Sequence, residues 1–198
     1  MSRRLNLLPD PAFESLQATL RARMASLGAE IQAEQFAHLL DPLLRKTLQQ
    51  GFDEAGAHEG TVWLVDAAGE FLVPAHNTGP RAGEIVGNFK QPLSAGLISM
   101  VFATEQPFLE NAVSRNAQQS KLLDAQLQVQ THALIAVPFY LLQACRGVVS
   151  CVQLKPAGAG DPPGFRPEHL ASVQAATALL TRLLEYRLLS RTVGWDCE

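Results

Sequence analysis

The sequence predicts an α+β fold. An antiparallel sheet of about five or six strands carries the N- and C-terminal helices on one face, and a long crossover forms the lid of a ligand pocket. Three observations predict this. Long stretches with apolar residues three and four apart stand at both ends of the chain, over residues 12–50 and from Glu168 onward. Between them lie short β-branched or fully apolar runs, TVWLVD at Thr61, ALIAVPF at Ala133 and GVVSCVQLK at Gly147. One long connection, residues 93–132, interrupts the strands, and long irregular connections inside a compact domain are usually functional or disordered.

Phe13, Leu16, Leu20, Met24, Leu27 and Ile31 follow the spacing of one helix face, which Gly28 interrupts or tolerates. Phe36, Leu39, Leu40, Leu43, Leu44 and Leu48 continue it. Asp41-Pro42 marks either a kink or a new helix with Asp41 as N-cap. Gly51 suits a C-terminal stop. Thr61–Asp66 and Phe71–Ala75 read as a hairpin turning at Gly69, where a positive φ is needed. Asn77–Gly83 reads as loop and Ile85–Leu93 as a third, weaker strand. Ala95–Thr104 is a short helix, which Ser94 would cap. Phe108–Ala112 reads as a small edge strand, and Gln118–Gln126 as a short helix burying Leu122 and Leu123. Leu134–Leu141 is apolar on both faces, which places it centrally; it turns at Gln143–Arg146 into Gly147–Lys155. A Pro/Gly-rich loop, 158–167, leads to the last long helix, which frays near Gly194.

At 198 residues, 47% hydrophobic and 18% charged, the chain is long enough for one globular domain with a sizeable core. The expected division is a helical extension over 1–34, the domain over 35–190 and a tail over 191–198. A net charge of −3 shows no basic excess for nucleic acid. No apolar run approaches the roughly 18 residues of a membrane span, and the N-terminus lacks the apolar core of a signal peptide. The expected location is the cytoplasm. Cys145, Cys151 and Cys197 form neither a disulfide framework nor a CxxC zinc motif; Cys145 and Cys151 leave a redox pair open. His38, His58, His76 and His169 lack metal-like spacing. No GxSxG, HExxH or P-loop is present, so an enzyme is not expected.

The order and spacing of TVWLVD, PLSAGLISMVFATEQPF from Pro92, ALIAVPF and GVVSCVQLK resemble the GAF domain over roughly residues 35–190. The resemblance implies a sensor domain that binds cyclic nucleotides, bilins, haem, small anions or metabolites and dimerises through its terminal helices. From the cyclic-nucleotide-binding members it implies pocket positions at Thr61, Leu97, Ile98, Asp124 and Thr131. The NKFDE signature of those members is broken here. Asn116, Lys121 and Asp124 are reminiscent of it, but Leu122 or Leu123 replaces the Phe and no Glu follows Asp124. That departure argues against a cyclic nucleotide.

Trp63 shares a strand face with Thr61, where it either stacks on a planar ligand or belongs to the core. Phe89 is a candidate pocket wall, because the family's third strand borders the pocket. The helix start at Gly96 offers free N–H donors. Asp124 and Thr131 read either as ligand contacts or, for Asp124, as part of a solvated helix face. His132, beside Thr131, is a candidate for ligand binding or titration; a lone His argues against haem. The lid contains no Cys, which argues against bilin attachment and against the methionine sulfoxide reduction of one GAF-like enzyme family. Surplus leucine on the terminal helices points to a homodimer, and the absence of an output domain points to a separate signalling protein. The expected ligand is a small molecule of unknown identity. The alternatives are a dimerising scaffold without ligand and, third, a GAF-derived enzyme.

Overall fold

The computed structural model describes residues 11–156, 158 and 160–195. Two hairpins form the middle of the sheet. β1 (Glu59–Val65) and β2 (Phe71–Asn77) turn at Gly69, whose φ is +70°. The Asp66 carboxylate fixes this turn by accepting from the backbone N–H of Glu70 and Phe71, at 2.8 and 3.1 Å. β5 (Thr131–Leu141) and β6 (Ala144–Leu154) are joined through Leu142 and Gln143, both at positive φ as in a type I′ turn. This turn lies before the expected Gln143–Arg146. It is anchored by tertiary contacts: Glu185 accepts from the Leu142 N–H at 2.7 Å.

β1 pairs with β6, and the sheet order is β3-β2-β1-β6-β5-β4. β3 (Gln91–Pro92) and β4 (Phe108–Glu110) are short edges. β5 is therefore second from an edge rather than central. The expected third strand shrinks to two residues. Ala82–Ile85 form a helical turn, α4, and Gly87 bends the chain at φ +74°. The N–H groups of Asn88 and Phe89 return to the Ile85 carbonyl and so are lost to a ladder.

The N-terminal helical pattern divides into α1 (Glu14–Glu30), α2 (Ala33–Leu39) and α3 (Pro42–Glu54). Asp41 is a true N-cap, accepting from Leu44 N–H at 2.8 Å. Gly51 is no stop. It lies inside α3 against α7 (Pro167–Thr192), where a Cβ would come within 2.4 Å of the Ala176 Cβ. Close helix approach, not termination, calls for glycine there.

Side-chain alternation along the strands makes two cores. Val62, Leu64, Ile135, Phe139 and Val149 face α1–α3 and α7, meeting Phe36, Leu48, Phe52, Leu180 and Leu184. Trp63, Val65, Leu134, Ala136 and Val148 face the opposite way, under Ile85, Leu97, Val101, Val113 and Leu127. The sheet is thus covered on both faces, by long terminal helices on one and by α4, α5 (Leu97–Thr104) and α6 (Leu122–Leu127) on the other. Leu122, expected to be buried, is 53% exposed; Leu123 packs against the second core. Among the described residues no helix is long and apolar enough to cross a membrane.

Candidate functional site

A pocket of about 100 Å³ lies between the second sheet face and the crossover. Thr61, Trp63, Leu134 and Ser150 form its floor; Gly96, Leu97, Ile98, Gln119, Leu123 and Asp124 form its roof. Thr131 closes one end, and Glu59, Asn77 and Gln91 supply polar groups at the rim.

Floor and roof are held differently. Trp63 is 3% exposed, and its Nε1–H donates to Ser150 Oγ at 2.9 Å, joining β1 to β6. The indole donor is thereby committed, so the ring meets the pocket as apolar π surface. Beside it, Asn77 donates to Thr61 Oγ1 at 2.9 Å and accepts from Gly79 N–H at 2.8 Å. In the roof, Asp124 Oδ1 accepts from Thr131 Oγ1 at 2.7 Å, and Oδ2 accepts from Thr131 N–H and Gln119 Nε2, each at 3.0 Å. This clasp ties α6 and the segment before it to the start of β5. A carboxylate only accepts, so the Gln119 amide nitrogen must face Asp124 and its Oε1 must face away. That oxygen is buried and has no hydrogen-bond partner among the described residues.

α5 begins at Gly96, whose φ of +101° suits no other residue, and no side chain caps it. Ser94 therefore does not play the expected part. The free N–H groups of the first turn stand at the pocket, where Gly96, Leu97 and Ile98 line it. Glu59, half-buried at the rim, has its carboxyl pressed against Gly79, where a Cβ would lie 2.3 Å from Cδ. Loss of solvent raises its pKa; the Asn77 amide beside it partly opposes the shift.

Six of the eight expected positions line this pocket: Thr61, Trp63, Leu97, Ile98, Asp124 and Thr131. Phe89 does not. It sits behind Trp63 in an edge-to-face contact with centroids 6.1 Å apart, and so positions the indole. His132 also lies elsewhere: strict alternation would give it the face of Leu134, but the β5–β6 register shifts between Thr131 and Ala133, so Thr131 and not His132 reaches the pocket. His132 borders a separate polar depression with Asn111, Arg115, Lys155 and Asp161. Glu59, Asn77, Gln119 and Ser150 escaped the sequence reading. Glu59 alone had a signal there, since it precedes Thr61 and Trp63 by the same two-residue step.

The described cysteines lie away from the pocket. Cys151 is buried in the core under the terminal helices, and burial pushes its thiol up to about 12. Burial also raises the Cys145 pKa. Both sit on β6, six residues and so about 20 Å apart along the strand, beyond disulfide reach. Cys197 lies outside the described residues. No three His, Cys, Asp or Glu side chains among those residues gather as a metal site.

A sequence profile of the GAF domain matches residues 39–184. The chain belongs to the GAF family. Solved GAF domains share its fold. The GAF domain of a phosphoenolpyruvate-protein phosphotransferase from Coxiella burnetii superposes with a TM-score of 0.59 at 16% identity, covering 93% of this chain and 99% of that one. The GAF domain/HD domain protein from Geobacter sulfurreducens gives 0.59 at 14% identity, covering 80% and 98%. The free methionine-R-sulfoxide reductase from Neisseria meningitidis, solved with its substrate, gives 0.52 at 18% identity, covering 98% and 99%. Thus the GAF fold occurs in enzymes as well as in sensory and regulatory domains. A comparison with curated proteins finds no match.

Proposed function

We propose that this GAF domain is a non-catalytic sensory or regulatory module of the cytoplasm. It binds a small molecule in the pocket closed by residues 93–132 and signals through a helix-mediated homodimer or a separate output protein. The domain would occupy 35–190, with the 1–34 segment as a helical extension. The clasp carries this reading. Asp124 holds Thr131 and Gln119 together at the pocket, and the Gln119 Oε1 is buried without a hydrogen-bond partner among the described residues. A ligand donating to that oxygen would bear on the group that ties roof to sheet, favouring an ordered roof. Thr61, Trp63, Leu97 and Ile98 would contact it; Phe89 would support Trp63. Chemistry by thiols is disfavoured, since Cys151 faces the other core and both described thiols have raised pKa values.

Native mass spectrometry of the protein purified from its own cells tests this, together with thermal shift. The expected result is a retained small mass that is lost in Ile98→Trp, which fills the pocket. A clean apo mass, with no thermal shift across amines, anions, nucleotides and amino acids, overturns the reading. One observation favours a second reading, a dimerising scaffold. The pocket volume of about 100 Å³ is well under the roughly 300–1,000 Å³ of ordinary ligand clefts. On that reading Trp63 and the roof side chains have filled the site, and the apo outcome is the expected one.

A further inference from the structure

Glu59 brings to the pocket a carboxyl that the Asn77 amide supports but that no cation among the described residues pairs with directly. It lines the pocket, half-buried, with its carboxyl confined against Gly79. Two cationic or titratable side chains stand nearby, and both are committed elsewhere. Arg81 is paired with Glu84 through Nε at 2.7 Å and also donates to the Leu127 carbonyl. His58 accepts from Leu154 N–H through Nδ1 at 3.0 Å. Among the described residues Glu59 has no ion-pair partner within 4.0 Å. A carboxylate withdrawn from water without a cation is costly.

The other groups at the pocket agree with this sign. Gln119 lines the same pocket and holds a buried acceptor oxygen that has no hydrogen-bond partner among the described residues. Trp63 has spent its N–H on Ser150, which leaves the π surface that attracts cations. Glu59, Gln119 and Trp63 therefore line one small cavity, with the unpartnered amide oxygen buried in its wall.

We infer that the pocket selects a compact organic cation, a primary ammonium or amidinium compound whose N–H donors meet Glu59 and Gln119 against Trp63. This rests on the reading of the pocket as a ligand site. The free N–H groups at the start of α5 line the same space and suit an oxygen elsewhere on the same molecule.

The test is a titration of the 15N-labelled chain, read at the Trp63 indole and Gly96 amide signals. The probes are methylammonium, ethanolamine, acetate and ethylene glycol. Both ammonium compounds are expected to shift these signals saturably, with acetate and ethylene glycol at least tenfold weaker. Glu59→Gln keeps the shape of the side chain and is expected to weaken ethanolamine tenfold or more in a spectrum that stays dispersed. Equal binding of acetate or ethylene glycol, or an unchanged affinity in Glu59→Gln, overturns the cation assignment and leaves the pocket standing. If no probe of any charge moves either signal, both readings fall. Should Glu59→Gln fail to fold, the charge preference of the unaltered chain decides alone.

Discussion

At Gly147, β6 passes so close to β1 that a Cβ would lie 1.8 Å from the Trp63 carbonyl oxygen and 3.1 Å from the Leu64 Cα. The obstructing atoms are backbone of a central strand pair, so no rotamer change relieves them. Gly147→Ala must part β1 from β6 at the residue that carries the pocket indole. The expected loss is about 3 kcal/mol or more, in the range of severe core lesions. Urea unfolding measures it, and a loss under about 1 kcal/mol would show that the sheet yields more easily than this geometry allows. A glycine opening an apolar strand is visible in the sequence; the carbonyl it must admit is not. Trp63 is similar. Its shared face with Thr61 follows from period two, but its donor partner Ser150 lies 87 residues away and emerges only when β1 meets β6. Asp124 and Thr131 show the converse. Both sit at the pocket as the resemblance implied, yet their polar atoms bind one another, so the chemically open group there is Gln119.

Among the elements, α3 is the one whose beginning can be tested most directly. Asp41 caps it and is also bound by Arg187 of α7, Nη1 to Oδ2 at 2.7 Å, so one carboxylate starts a helix and docks another. The backbone N–H of Leu44 is the largest cause holding its pKa below 3.8; desolvation, the next largest, opposes it, and the charge of Arg187 adds to the lowering. A depressed folded-state pKa means the stabilisation is complete above the unfolded value and disappears as pH falls through the folded one. Asp41→Ala is expected to cost about 1 kcal/mol at pH 7, the ordinary worth of an N-cap. The gap to the unaltered chain should close as pH drops below 3.8. Asp41→Asn keeps a capping oxygen and should lose less. Urea midpoints across that pH range decide, and a gap independent of pH would remove the carboxylate from the account. The cap was readable because Asp-Pro before a leucine-rich run has a local cause. The lost third strand was not readable, because Gly87 and the return of two N–H groups to Ile85 are decided by α4 packing under the sheet.

For the whole molecule, the apolar runs between long helical patterns foretold a sheet with the terminal helices on one face, and the helices on the other follow from its second apolar face needing cover. Among the described residues, α7 carries one apolar stripe left uncovered. Its inward positions are Val173, Thr177, Leu180, Leu184 and Leu188. Leu179, Tyr186, Leu189 and Val193 fall on the nearly opposite side at about 100° per residue, and each is at least 40% exposed. Among the described residues, α1 only borders this second stripe, Leu20 and Met24 sharing a groove with Tyr186 and Leu189, and a two-fold partner presenting the same stripe would cover it. The chain is therefore expected to sediment as a dimer at micromolar concentration. Leu179→Arg together with Tyr186→Arg should give a monomer whose circular dichroism is unchanged, because neither side chain supports its own sheet. A monomeric unaltered chain, or a double variant that still sediments as a dimer, would refute this use of α7. The same experiment bears on signalling: if the stripe is the interface, α7 connects it to the face of the sheet opposite the pocket, and any effect of ligand must cross β1, β5 and β6 to reach it.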